Sequence, residues 1–414
     1  MLKILRYLLL VCLVFLQSGY SYYISFQALA LLLIIVVVFS YGSSFKISLL
    51  GIFSILIFIS FIVYTGMVSP LVISPNSTNM FLTMAALLVY SLMIFGLSLI
   101  RIKHHINSLI FVRQLSASLV FVLFALLIVS ESNFIPFLNR ETLAIQNIGL
   151  IDNMASIKDI ELSIKENLFR PKADLFYGEP SFLAVVIFAS VGSFFLADSG
   201  LKTAGAKTFS ETRSDGFERI SNLIPFIGIV SLVYIQSLSS IIFAAVTLYF
   251  FINSRKTYKK IRLINFLFYL FVAIVAFSFS YEYFLYRITM ENSVSFIQRF
   301  GFLFEMSQID WVVGIKDASR LPEFGIHNGV IFLITISGLG GLCYLFYLLR
   351  HAYKSAISIG LASYSVLLIL AIFSQNGGIF SPNKIVLLAL ILLPLAAVRS
   401  GKLSPSRSLS NYDS

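Results

Sequence analysis

The chain has 414 residues, of which 58% are hydrophobic and only 12% charged, with a formal net charge of +11. A soluble domain carries roughly a quarter charged residues, so there is too little polar surface here to coat a water-soluble globule of this size. This composition excludes a soluble enzyme and predicts an all-α polytopic integral membrane protein built from apolar runs of about 20 residues.

In chain order, Lys3 and Arg6 precede the first apolar run, as in a signal peptide. No small-residue cleavage site follows and further apolar runs come at once, so this segment reads as a retained first span. About twelve transmembrane helices are expected, at 4–20, 22–40, 47–67, 80–100, 114–130, 180–197, 220–235, 238–252, 262–281, 326–349, 356–373 and 383–398. The run 220–252 is interrupted by Gln236-Ser237-Leu238-Ser239-Ser240. Two short spans with a tight turn fit it better than one very long span, and a broken or re-entrant element is the alternative. The resulting organisation is helices 1–5 over 1–130, a first large extracytoplasmic loop over 131–179 and helices 6–9 over 180–281. A second large loop follows over 282–325, then helices 10–12 over 326–398 and a basic tail over 399–414.

Charge sets the orientation. With the N-terminus in the cytoplasm, 20 of the 30 Lys and Arg residues fall inside, while 14 of the 19 acids fall outside. The positive-inside rule then places both termini in the cytoplasm. The strongest marker is the run from Asn253 to Arg262, a topology anchor facing anionic membrane lipids. Because position accounts for the positive charge, no nucleic-acid partner is expected. Cys12 and Cys343 lie inside apolar runs and read as small buried hydrophobes, not as a disulfide or metal pair.

The two outer loops depart from the rule. Nine of the ten outside bases fall in them: Arg140, Lys158, Lys165, Arg170, Lys172, Arg287, Arg299, Lys316 and Arg320. They answer either to an anionic ligand or to the outside acids. In the first loop Leu150, Met154, Ile157, Ile160, Ile164 and Leu168 recur at three- and four-residue steps, the pattern of an amphipathic helix at the interface. Asp159-Ile160-Glu161 fits the polar face of that helix better than a metal site, and no cofactor or metal is expected. The loop ends on Tyr177-Gly178-Glu179-Pro180-Ser181-Phe182, where a carboxylate, a helix-opening proline and a hydroxyl stand at the entrance of a span. A charge there is costly unless held or used, although a carboxylate at a helix N-terminus is also an ordinary cap.

Three features together resemble the O-antigen polymerase and ligase superfamily of bacterial envelope proteins. They are the stretch from Arg170 to Ser181, the Arg299-Phe300-Gly301 sequence in the second loop, and His327-Asn328 opening a span with Gly338-Leu339-Gly340-Gly341 about ten residues on. The resemblance covers roughly 165–350 and is nearer the polymerase side, because the Gln236–Ser240 turn lacks the arginine more usual in ligases. It implies a GT-C-like glycosyltransferase architecture in the bacterial inner membrane, with the active site facing the periplasm or exterior. The implied substrate is a polyprenyl-pyrophosphate-linked oligosaccharide, and the implied partners are a flippase and a chain-length regulator. Such a transfer needs the leaving pyrophosphate neutralised and the acceptor hydroxyl deprotonated or polarised. Arginine forks suit the first task, which falls to Arg299 and Arg170 with Lys172, Arg287 and Arg320 in support. His327 and Glu179 are the candidate bases, and Tyr177, Ser181 and Asn328 are candidates for substrate contacts. A ligase using the same donor is the near alternative. A transporter or glycan flippase, which would need polar groups at the bilayer midplane, is the alternative of another class.

Overall fold

The structure, a computed structural model, describes residues 2–16, 25–46, 48–68, 77–131, 175, 180–204, 214–235, 237–254, 306–314, 328–374 and 382–403. Among these the chain forms α1 (Leu2–Val14), α2 (Phe26–Ser40), β1 (Ser43–Phe45), α3 (Leu49–Val68), α4 (Ser77–Leu99), β2 (Ile100–Ile102) and α5 (His105–Glu131). There follow α6 (Pro180–Thr203), α7 (Ser214–Ile235), α8 (Leu238–Ser254), α9 (Gln308–Val313), α10 (Gly329–Ala356), α11 (Ala362–Ser374) and α12 (Pro382–Leu403). Eleven of the expected spans each coincide with a helix, while 262–281 and the amphipathic stretch 150–168 lie outside the described residues. The long run 220–252 is two helices, α7 and α8.

This is an all-α membrane protein. Four helices are long and apolar enough to cross a membrane, spanning His105–Ser130, Pro180–Thr203, Gly329–Ile359 and Asn383–Gly401, and shorter apolar helices surround them. Outward-facing Leu32, Phe39, Leu49, Phe53, Phe121 and Phe346 are exposed. In water so many large apolar groups would form a patch of a size that monomers avoid, whereas in lipid they are solvated. Cys343, expected to be buried, lies on this exposed surface, while Cys12 is buried. Helical periodicity alone does not say which face of an all-apolar helix turns outward.

Two helices form the centre. α6 is buried along almost its whole length and packs against α5, α7, α8, α11 and α12. α12 is also buried, between α2, α4, α5, α6, α10 and α11. Small residues bring α6 to this position. Gly192 lies against the Leu368 side chain, and a Cβ on Gly200 would stand 2.8 Å from Val398 and 3.2 Å from Leu109. Without a hydrophobic force between helices in lipid, such close approach is what holds a bundle together. Aromatic side chains fill the wider gaps. Tyr364 of α11 is fully buried among Phe188, Phe195 and Phe250, and Phe58 stacks on Tyr344 at 4.8 Å.

One end of the bundle is basic. It gathers the start of α5 and the ends of α4, α6, α10 and α12, with the β1–β2 hairpin lying across α12. Here Arg113 of α5 is buried and its Nε lies 2.7 Å from Asp198 Oδ1 of α6, with its guanidinium 5.2 Å from the Phe194 ring centre. Lys202 Nζ holds the other carboxylate oxygen at 2.8 Å. This triad explains a difference from the expected spans. The apolar runs were bounded at residue 114 and at residue 197 by these charges, yet α5 begins at His105 and α6 continues to Thr203. Paired charges are compatible with burial where single ones are not.

Candidate functional site at the far end of the bundle

The end opposite the basic one is where α6, α10 and α12 begin. α6 and α12 run parallel: Ser193 Oγ donates to the Leu390 carbonyl at 2.9 Å, and further along Gly200 meets Val398. At 1.5 Å per residue this register sets the start of α12 rather more than one turn deeper than the start of α6. Arg399 and His351, 3.4 Å apart at the basic end, tie α10 to α12 in the same sense.

Each of these helices opens on polar residues. Pro180 is the first residue of α6, where its missing N–H costs nothing, and Ser181 beside it is buried. Asn328 is the N-cap of α10, and its Oδ1 accepts from the Val330 and Ile331 N–H groups at 2.9 and 3.3 Å. That oxygen is committed to the helix, so any contact of Asn328 with a ligand falls to its amide nitrogen. α12 repeats the proline entry with Pro382-Asn383-Lys384. Lys384 is 1% exposed, and the Oδ1 of Asn383, itself 6% exposed, has no hydrogen-bond partner.

α10 is broken at this level. Gly338 has φ 49° and ψ −130°, outside helical values, and no bulkier residue takes that conformation easily. The break receives α9. A Cβ on Gly338 would fall on the Val312 carbonyl, and a Cβ on Gly314 would stand 2.6 Å from the Ile336 carbonyl oxygen. Two backbones thus meet through two glycines. α9 is closed by a capping box, in which Ser307 N–H and Oγ donate to Asp310 Oδ2 at 2.8 and 2.7 Å. The carboxylate is buried by this arrangement. Gly338 lies nine residues into α10, about 14 Å along its axis, so α9, a segment of the second loop, reaches well below the far end. Beside this seat the Thr335 hydroxyl is buried with no hydrogen-bond partner.

The turn between α7 and α8 lies at the far end. Phe188 stacks on Phe243 at 4.5 Å and Phe195 meets Phe251 at 6.3 Å, which sets the start of α8 level with the first turn of α6. Its serines bond one another: Ser237 N–H donates to Ser240 Oγ at 3.0 Å, and Ser240 N–H to Ser237 Oγ at 3.1 Å. The polar break that a translocation pathway would need at mid-depth is therefore at an end, with its hydrogen bonds largely turned on itself.

Of the residues singled out from sequence, the structure brings the Ser181 and Asn328 positions to one end, on two helices that both border α12. Glu179, Tyr177, Arg170, Lys172, Arg287, Arg299, Arg320 and His327 lie outside the described residues, with Glu179 directly before the first residue of α6 and His327 directly before the N-cap of α10. Lys384 was missed. It is the tenth of the bases expected outside and belongs to neither loop, and the proline entry it shares with Pro180-Ser181 was the available signal. Asp310 was missed because a short polar helix inside a long loop has no periodic pattern to read. Among the described residues no group of three or more His, Cys, Asp or Glu side chains is arranged to hold a metal ion. No family model, curated protein or solved structure matches the chain.

Proposed function

We propose that the protein is a polysaccharide repeat-unit polymerase, a GT-C-like glycosyltransferase with twelve spans in a bacterial inner membrane. It moves a growing glycan from polyprenyl pyrophosphate onto a lipid-linked repeat unit at the outer face. The product is an O-antigen, capsule or exopolysaccharide chain. The observation that supports this reading is the common origin of α6, α10 and α12 at the end opposite the basic one. The Glu179-Pro180-Ser181 and His327-Asn328 sequences are thereby entrances to helices that share a central neighbour, and a buried lysine stands at the entrance of that neighbour.

In the reaction a hydroxyl of the acceptor repeat unit attacks the anomeric carbon of the donor glycan. The bond from that carbon to the pyrophosphate oxygen breaks, and polyprenyl pyrophosphate leaves with the electron pair. The hydroxyl proton passes to His327 or Glu179. Arg299 and Arg170 neutralise the leaving group, with Lys172, Arg287 and Arg320 assisting. In a water-poor site each such donor contributes on the order of 3 kcal/mol to the barrier. Lys384 joins this set as a cation held in low dielectric, where ionisable residues are usually functional.

The test is a reconstituted reaction with purified protein and a lipid-pyrophosphate oligosaccharide, its products resolved on a gel. The wild type gives a ladder, and Arg299→Ala and His327→Ala lose it while remaining folded. A product only when a separate acceptor is added would instead assign a ligase, and no product with either acceptor would overturn the reading.

A further inference from the structure

At the basic end, the β1–β2 hairpin and the end of α12 leave two arginines in an unusual state. Arg101 lies between two residues bonded to α12. The Ile100 carbonyl accepts from Arg399 Nη2 at 2.6 Å, and the Ile102 N–H donates to Ser400 Oγ at 2.9 Å. In a strand, successive side chains alternate, so buried Ile100 and Ile102 turn down onto the bundle and Arg101 turns away, half exposed. Among the described residues no hydrogen bond or ion pair is made by the Arg101 side chain, and its Nε is buried without a partner. Arg399 uses Nη2 on the Ser98 and Ile100 carbonyls, at 3.2 and 2.6 Å, yet its Nε is also buried without a partner. The two guanidiniums are within electrostatic reach of each other.

No described acid answers them. Among the described side chains the only acid at this end is Asp198, and Arg113 and Lys202 already hold both of its oxygens. Around Arg101 and Arg399 stand Lys103, His104, His105 and His351 instead. Two like charges on a half-buried platform, with donors left over, call for an anion, and no described side chain supplies it. Guanidinium forks match phosphate oxygens in particular. The platform also stands at the end of α12, a helix long and apolar enough to cross a membrane.

We propose that Arg101 and Arg399 form a binding site for the phosphate of an anionic membrane lipid at the basic end of the bundle. This site is separate from the far end and independent of the polymerase reading. The lipid is recognised by its phosphate and net negative charge, so phosphatidylglycerol binds where phosphatidylcholine does not. Free inorganic phosphate, which offers the same oxygens without an anchoring chain, binds far more weakly.

The experiment uses the full chain purified in detergent. Its thermal unfolding midpoint is followed while phosphatidylglycerol, phosphatidylcholine or inorganic phosphate is added, and retained lipid is counted by native mass spectrometry. For the wild type, phosphatidylglycerol raises the midpoint and remains bound, and the other two have little effect. Arg101→Gln keeps the lipid-free midpoint, because the Arg101 side chain bonds no described residue, and its affinity for phosphatidylglycerol falls about tenfold. Lys202→Gln, which removes a charge at the neighbouring ion pair, leaves the response intact. An unchanged response in Arg101→Gln, or an equal response to phosphatidylcholine, would overturn the site. An equal response to inorganic phosphate would overturn the lipid as its ligand.

Discussion

Two charged clusters stand at the same end of this bundle and differ in one respect. In the Arg113–Asp198–Lys202 cluster a carboxylate accepts from both bases, and the arginine is covered by Phe194. In the Arg101–Arg399 cluster no described carboxylate is present; Arg399 turns to backbone carbonyls and to His351, and the Nε of each arginine has no partner. The first arrangement is self-sufficient, and its chemistry is spent on joining α5 to α6. The second leaves donors over, and the partly exposed Arg101 side chain is the part of it that a ligand can reach. Like residue types at the same end thus have different uses, and the deciding variable is whether an acid from another helix reaches them.

The comparison is broken most sharply by removing that acid. Asp198→Asn leaves Arg113 buried without its counter-charge and lowers stability by about 3–5 kcal/mol, read as a fall in the thermal midpoint of the purified protein. The paired replacement Arg113→Met with Asp198→Leu removes both buried charges, and most of that loss is recovered in the same assay, since apolar pairs of similar volume often replace buried ion pairs without cost. Next in size is Arg399→Gln. It loses charge-assisted bonds to the Ser98 carbonyl of α4 and the Ile100 carbonyl of β2 and costs about 1.5–3 kcal/mol, with hydrogen exchange rising at Ser98–Ile102 before it rises elsewhere. Lys202→Gln is smaller, below about 1 kcal/mol, because that lysine is 61% exposed and an exposed partner is worth little. Arg101→Gln has the smallest effect on stability in lipid-free detergent, within about 0.5 kcal/mol of the wild type. A large loss from Arg101→Gln would mean that the second cluster is structural like the first.

Much of the fold was legible because membrane helices announce themselves by length and apolar character, and eleven expected spans meet a helix. The turn at Gln236 to Ser240 was legible as a break for the same reason, since serines that bond one another interrupt an otherwise apolar run. Of the candidate site, the helix starts at Pro180 and Asn328 were readable from local chemistry, a proline at a first helical position and an asparagine at an N-cap. The burial of Lys384 was not readable. A lysine next to a span reads as an interface anchor, and only the position of α12 among six neighbours makes it a core residue. The seat of α9 was equally hidden. Gly338 reads as a packing glycine, and its left-handed conformation depends on a segment some twenty-five residues earlier that lies against it.

The sequence by itself determined the class of molecule, the number of apolar segments it described as spans and the uneven distribution of its charge. These follow from the transfer of side chains between water and lipid, a property of each segment alone. Only the tertiary structure decided where α5 and α6 stop being apolar runs and continue as helices, because Arg113 is tolerable in the core only when Asp198 meets it. It also decided that α6 and α12 are central, that three polar helix starts share one end, and that Arg101 and Arg399 meet no described acid. Those outcomes depend on which segments become neighbours, and no segment of the sequence carries that information alone.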